Sequence, residues 1–123
     1  MAQKILIVDD SVVIRKHLRS ILEAGGYQVL EAADGPEGLG LLRSEEEVAM
    51  VLCDFNLPSM NGLEMVEQAR AEHFGLPVVM VTTELVKDLV NRGVAAGVCG
   101  WLIKPFKPPL VLGAVKALAG PSA

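Results

Sequence analysis

Short unbroken apolar runs alternate along this chain with longer stretches whose apolar residues recur at helical spacing. Ile5 to Val8, Val48 to Cys53 and Val78 to Val81 carry no polar residue, the pattern of strands buried on both faces of a parallel sheet. Five rounds of strand and helix follow from that alternation, and they predict an α/β fold with helices on both sides of the sheet. Lys4 to Asp9 is the first strand. Ser11 is placed to cap a helix whose inner side carries Val12, Leu18, Ile21 and Leu22, stopped by Gly25 and Gly26. Tyr27 to Ala32 returns as an edge strand, and Asp34 with Pro36 opens the second helix. The acidic run Glu45 to Glu47 is a solvated loop.

Val48 to Cys53 forms the third strand. The loop from Asp54 to Asn61 passes through Gly62 into a helix carrying Leu63, Val66 and Ala69. Pro77 starts the fourth strand, Val78 to Thr82, and a helix follows from about Glu84 to Ala96, ended by Gly97. Trp101 to Ile103 is a short fifth strand. Lys107 to Pro109 leads into a last helix with Leu110, Val111, Ala114, Val115 and Leu118 along one side, before a frayed Gly-Pro-Ser tail.

Composition narrows the picture. At 123 residues, 51% hydrophobic, the chain is expected to be one domain with a core that needs neither disulfide nor structural zinc. A net charge of −4, with scattered Lys and Arg, argues against direct nucleic-acid contact. Cys53 and Cys99 are too few and too far apart for a zinc site and are expected to be reduced core thiols. No signal peptide precedes Lys4 and no apolar stretch reaches the ~18 residues of a membrane span, so the expected location is the cytoplasm.

The chemistry gathers at strand ends. Asp9, Asp10, Asp54, Thr82 and Lys104 all fall where predicted strands stop, which in an open α/β sheet is where ligands sit. Converging carboxylates repel one another unless one protonates or a cation binds. Mg2+ prefers oxygen ligands and needs only a partial protein cage. Asp10 and Asp54 are assigned to direct ligation, Asp9 through water, and the backbone carbonyl of Asn56 completes the set. Neither His17 nor His73 lies near these ends, which disfavours zinc. A carboxylate beside Mg2+ can also be a nucleophile toward phosphorus. Lys104 would then meet phosphoryl oxygens with positive charge, and Thr82 with a hydroxyl.

Taken together, Val8-Asp9-Asp10-Ser11, Asp54-Phe55-Asn56-Leu57-Pro58 with Asn61-Gly62, Val81-Thr82 and Lys104-Pro105-Phe106 resemble the signature of response-regulator receiver domains. Asp-Asp-Ser with Arg15 and the Asp54 to Gly62 loop are most similar to the stand-alone chemotaxis (CheY-like) type. The resemblance implies a flavodoxin-like, doubly wound (βα)5 fold of strand order 2-1-3-4-5. It implies that Asp54 accepts phosphate from a partner histidine kinase, that Asp9 and Asp10 with Asn56 hold Mg2+, and that Thr82 and Lys104 contact the phosphoryl group. It further implies a cis Lys104-Pro105 bond and a short-lived acyl phosphate tuned by Asn56 and Glu84. Asn61 departs from the family's usual Asp. Trp101 stands where the family has a Tyr or Phe that swings inward on phosphorylation, leaving two readings: a working switch, or a half-buried tryptophan covering the sheet edge.

The fourth predicted helix carries Leu85, Val86, Leu89 and Val90, which no narrow stripe can bury together. With Trp101 and Lys107 nearby they predict an apolar patch for a partner, and the resemblance places output contacts on this face of helix 4, strand 5 and helix 5. The expectation is a monomeric, Mg2+-dependent signalling switch that relays a kinase signal by protein contact and is not an enzyme in the turnover sense. The alternatives are a receiver fragment of a larger regulator with an output domain, an unphosphorylated constitutive interaction module, or an aspartate-nucleophile phosphatase. Asn56 speaks against the last, because it replaces the second acid such sites resemble.

Overall fold

A computed structural model describes residues 2–121. Its elements run β1 (Lys4–Val8), α1 (Val12–Ala24), β2 (Gln28–Ala32), α2 (Gly35–Ser44), β3 (Val48–Asp54), α3 (Gly62–Ala71), β4 (Val78–Thr82), α4 (Lys87–Ala96), β5 (Val98–Ile103) and α5 (Pro108–Ala119). The five strands are all parallel, in the order β2-β1-β3-β4-β5. From β1 the chain steps outward to β2, then crosses back to lay β3 on the other side. That reversal opens a crevice at the carboxyl ends of β1 and β3. Val8 pairs with Ala32 and Cys53, Asp54 with Val81, and Thr82 with Ile103, so the strand ends come level.

Because successive strand residues face opposite ways, the apolar runs feed two cores. Ile5, Ile7, Leu52 and Val81 pack with Leu18 and Leu22 of α1 and Val111 and Val115 of α5. Leu6, Val8, Val51 and Met80 pack with Leu39 of α2 and Met65 and Val66 of α3. Each fully buried aliphatic side chain contributes about 1.5–3 kcal/mol.

The helix starts follow the expected chemistry. Ser11 accepts the Ile14 N–H and Asp34 the Glu37 N–H, while Asn61 and Glu64 cap α3 reciprocally. At that position Asn61 needs only its amide oxygen, which a neutral side chain supplies.

Four expectations are corrected. Val12 is exposed rather than inward, because six residues at about 100° each turn it off the Leu18 face; Ile14 packs there instead. The fourth helix begins at Lys87, and Glu84 to Val86 are extended loop: Val86 sits at the N-cap with no side-chain hydrogen bond to offer. Leu110 faces solvent while Val111, Val115 and Leu118 take the inner side of α5. β5 starts at Val98, ahead of Trp101, and as an edge strand leaves Cys99 exposed. Of the expected tail, Gly120 has its carbonyl held by the Tyr27 hydroxyl at 2.8 Å, and Ser122 lies outside the described residues.

Candidate functional site

Asp9 follows β1 directly, and every polar group it owns is engaged. Its N–H donates to the Ala32 carbonyl at 3.0 Å. Oδ1 accepts the Ser11 N–H at 2.8 Å, Oδ2 accepts Lys104 Nζ at 3.0 Å, and its carbonyl accepts Arg15 Nη1 at 2.5 Å. Asp54 closes β3. Its Oδ1 accepts the Asn56 N–H at 3.3 Å and its Oδ2 lies 3.2 Å from Lys104 Nζ. Gly62 explains how α3 comes so near: a Cβ there would lie 2.2 Å from the Asp54 carbonyl oxygen. Lys104 is brought in by β5, whose ladder continues through the Lys104 N–H to the Thr82 carbonyl at 2.8 Å. The Lys104-Pro105 peptide that follows is cis, as the resemblance implied.

Asp9 and Asp54 are buried and Asp10 is exposed, and each offers a carboxylate oxygen within 4.8 Å of the others. Lys104 pairs with Asp9 and Asp54, and among the described residues no cation pairs with Asp10. Burial, reinforced by Asp9, pushes the Asp54 carboxyl above its ordinary value, and Lys104 only partly opposes this. Burial works against the Lys104 ammonium, yet Asp9 and Asp54 outweigh it and raise its pKa. The pocket is therefore short of positive charge. An all-oxygen, carboxylate-rich donor set with open approach on the Asp10 side fits Mg2+ and does not fit a soft metal.

Thr82 is buried at the end of β4, and its hydroxyl bonds the Glu84 backbone and none of the acids. Its hydroxyl donates to the Glu84 carbonyl at 3.1 Å and accepts the Glu84 N–H at 3.4 Å. A cavity of about 140 Å3 opens beside it, lined by Phe55, Asn56, Thr82, Thr83, Glu84, Val86 and Leu89. Asn56 and Glu84 are both exposed at its rim.

The expected partner patch is divided. Leu85 and Val86 are exposed in the loop before α4, Leu89 is buried and Val90 is half-buried. Trp101 is half-buried against the core, with its indole lodged over Gly93 so closely that a Cβ there would lie 2.5 Å from Cζ2. Trp101 also lines a groove of about 380 Å3, together with Leu102, Ile103, Pro105, Phe106, Lys107 and Leu110. Val86 and Val90 lie outside that lining.

Glu31 was missed by sequence reasoning. It pairs in register with Ile7 on β1 and binds Arg15 Nε through Oε1 and Arg19 Nε through Oε2. An acid inside an apolar strand, one strand away from the Asp9 turn, was the available signal.

Residues 5–116 match the family model of the response regulator receiver domain. The chain is similar to a chemotaxis protein CheY homolog of Campylobacter jejuni, 41% identical over 111 residues covering 88% of this chain and 85% of that protein. It is 35% identical to chemotaxis protein CheY1 of Helicobacter pylori over 120 residues, 95% of this chain and 97% of the relative. Among solved structures, chemotaxis protein CheY4 of Vibrio cholerae superposes with a TM-score of 0.91 at 35% identity, covering 96% of this chain and 99% of the other. A CheY-like receiver domain protein of Methanospirillum hungatei gives 0.89 at 33% identity, with 95% and 93% coverage.

Proposed function

The chain belongs to the response regulator receiver domain family, and on that premise we propose that it is a chemotaxis-type switch phosphorylated on Asp54 by a histidine kinase. The observation that supports this most directly is the buried Asp54 carboxylate, which shares the single ammonium of Lys104 with Asp9 in a pocket deficient in positive charge. Asp10 and Asp54 would hold Mg2+, with Asp9 acting through water and the Asn56 carbonyl completing the protein's share. When bound, the ion supplies positive charge to the acids and to phosphoryl oxygens.

In the transfer, an Asp54 carboxylate oxygen forms a bond to phosphorus while the bond from phosphorus to the donor's imidazole nitrogen breaks, leaving an acyl phosphate and a histidine free to take up a proton. Lys104, already within 3.2 Å of Asp54 Oδ2, would shift its ammonium onto a phosphoryl oxygen. Thr82 would give up the Glu84 carbonyl for another, freeing the loop that carries Leu85 and Val86. Water then hydrolyses the acyl phosphate. The exposed Asn56 and Glu84 leave its approach open, and the adduct should decay in well under hours.

The signal would pass to a target protein through the face of α4, β5 and α5, where the groove beside Trp101 offers apolar contact. Charged residues at Val86 and Val90 should weaken that binding without changing phosphorylation. The protein acts as a monomeric single domain in the cytoplasm, with no nucleic-acid contact, and no described helix is long and apolar enough to cross a membrane.

The test is intact mass after incubation with acetyl phosphate and Mg2+, quenched in acid, with Asp54→Asn and chelator-treated samples alongside. A single phosphoryl adduct needing both Asp54 and Mg2+ is expected. No adduct at any time would leave a constitutive interaction module.

A further inference from the structure

We propose that Arg15 is a positioning residue for the metal pocket, orienting the exposed Asp10 carboxylate through the Asp9-Asp10 peptide; this rests on the Mg2+ reading of the pocket. Among the described residues no hydrogen bond or ion pair reaches the Asp10 side chain, whereas Asp9 is held at all four of its polar groups. What aims Asp10 is therefore the backbone before it. In a planar peptide the carbonyl oxygen and the next N–H point in opposite directions, so fixing the Asp9 oxygen fixes the plane from which Asp10 projects. Arg15 Nη1 holds that oxygen at 2.5 Å.

Arg15 is itself held. Its Nε donates to Glu31 Oε1 at 3.1 Å, and the other Glu31 oxygen takes Arg19 Nε at 2.5 Å. Arg19 continues to the Val29 carbonyl at 3.3 Å and to Glu23 at 3.1 Å. The guanidinium is thus fixed from β2, the strand beside β1. Its planar fork reaches a carboxylate with Nε and a carbonyl with Nη1 from two separate nitrogens, where an ammonium would have to serve both from one. Glu31 also answers the charge: Arg15 steers the peptide without setting an unbalanced cation beside a site meant for another one. Tying α1 to β2 would be a purely structural role, and it predicts a loss of stability with no change in metal affinity.

The experiment measures Mg2+ binding by titration calorimetry on the whole chain, with Mn2+ electron paramagnetic resonance as a second readout and thermal unfolding as the control for folding. Arg15→Met should weaken Mg2+ binding roughly tenfold, the scale typical of losing a residue that orients a ligand. Arg15→Lys should fall between, and Arg19→Met, which cuts the far side of the cluster, should leave the affinity within twofold. At saturating Mg2+ the Arg15→Met rate of adduct formation from acetyl phosphate should return to that of the unaltered protein, placing the defect in metal binding and not in transfer. A folded Arg15→Met protein that binds Mg2+ within twofold of the unaltered one overturns the proposal. Should that variant not fold, Arg15→Lys and Glu31→Gln decide by the same twofold criterion. Absence of Mg2+ binding in the unaltered protein would overturn the reading of the pocket itself, and this proposal with it.

Discussion

Two charged clusters lie side by side at the β1–α1 end of the molecule, built from the same residue types in opposite proportion. At the strand ends three carboxylates gather around one lysine that pairs with two of them. On α1 and β2 one carboxylate, Glu31, meets two guanidiniums, with Glu23 at the margin. Burial raises the Asp54 carboxyl and Lys104 does not undo it. Burial would raise Glu31 as well, but Arg19 and Arg15 outweigh it and hold that carboxyl below its ordinary value. The difference separates a cluster completed by its own chain from one that needs charge from outside. Asp9 joins them, its carboxylate in the first and its carbonyl in the second.

The widest gap between the clusters should open when charge is supplied to the deficient one. Mg2+ at 100 times its Kd should add about 2.7 kcal/mol of stability to the unaltered protein, several degrees in Tm. Asp54→Asn should lose most of that gain, and a chelator should then leave its Tm unchanged. Without metal the order reverses. Ionised Asp54 is disfavoured in the folded state, so it costs stability that is absent below its ordinary value of 3.8 and complete once pH exceeds the raised folded value. Metal-free Asp54→Asn should therefore be more stable than the unaltered protein at neutral pH, with the difference closing toward low pH in denaturant titrations.

The satisfied cluster should answer with the other sign. Glu31→Gln should destabilise the protein by about 1 kcal/mol. Ionised Glu31 is favoured in the folded state, so its contribution is full above the ordinary value of 4.5 and disappears as pH falls through the lower folded value. The deficit of Glu31→Gln should vanish there. The smallest effect is expected at a site outside both clusters. Gly93→Ala gains about 1 kcal/mol in helix propensity, but its Cβ meets Trp101 at 2.5 Å, a clash that offsets the gain by about 1 kcal/mol because the half-buried indole can shift. Stability should change little, while Trp101 fluorescence should shift as the indole is displaced; an unchanged spectrum would mean that Gly93 does not seat it.

How far the sequence could be read follows from the range of the forces involved. The strands were legible because unbroken apolar runs have few other uses, and the acids at their ends stood out because nothing in a core accounts for them. Asn61 was legible only as a departure, and its role as a cap emerged from the Glu64 pairing. The start of α4 was not legible. Glu84, Leu85 and Val86 are compatible with a helix, but Thr82 ties up the Glu84 backbone and Val86 brings no cap. Cys99 looked like core because the fifth strand was read from Trp101; β5 starts at Val98 and leaves Cys99 exposed on its edge. Glu31 was marked only as an acid inside an apolar strand, and its pairing with Arg15 depends on how α1 packs against β2, which no local pattern shows.

The bond from Lys104 to Asp9 spans 95 residues of chain. At ~5–20 residues per second a ribosome delivers Asp9 roughly 5–20 s before its lysine. Until Lys104 follows, Asp9 and, once it is made, Asp54 lack the cation that joins them, and β4, once made, presents the apolar edge Val78 to Val81 until β5 covers it. The pocket is the last part of the nascent sheet that can be completed. Premature termination before Val98 would release a chain with an unpaired, aggregation-prone strand edge and two acids that still lack their counter-ion.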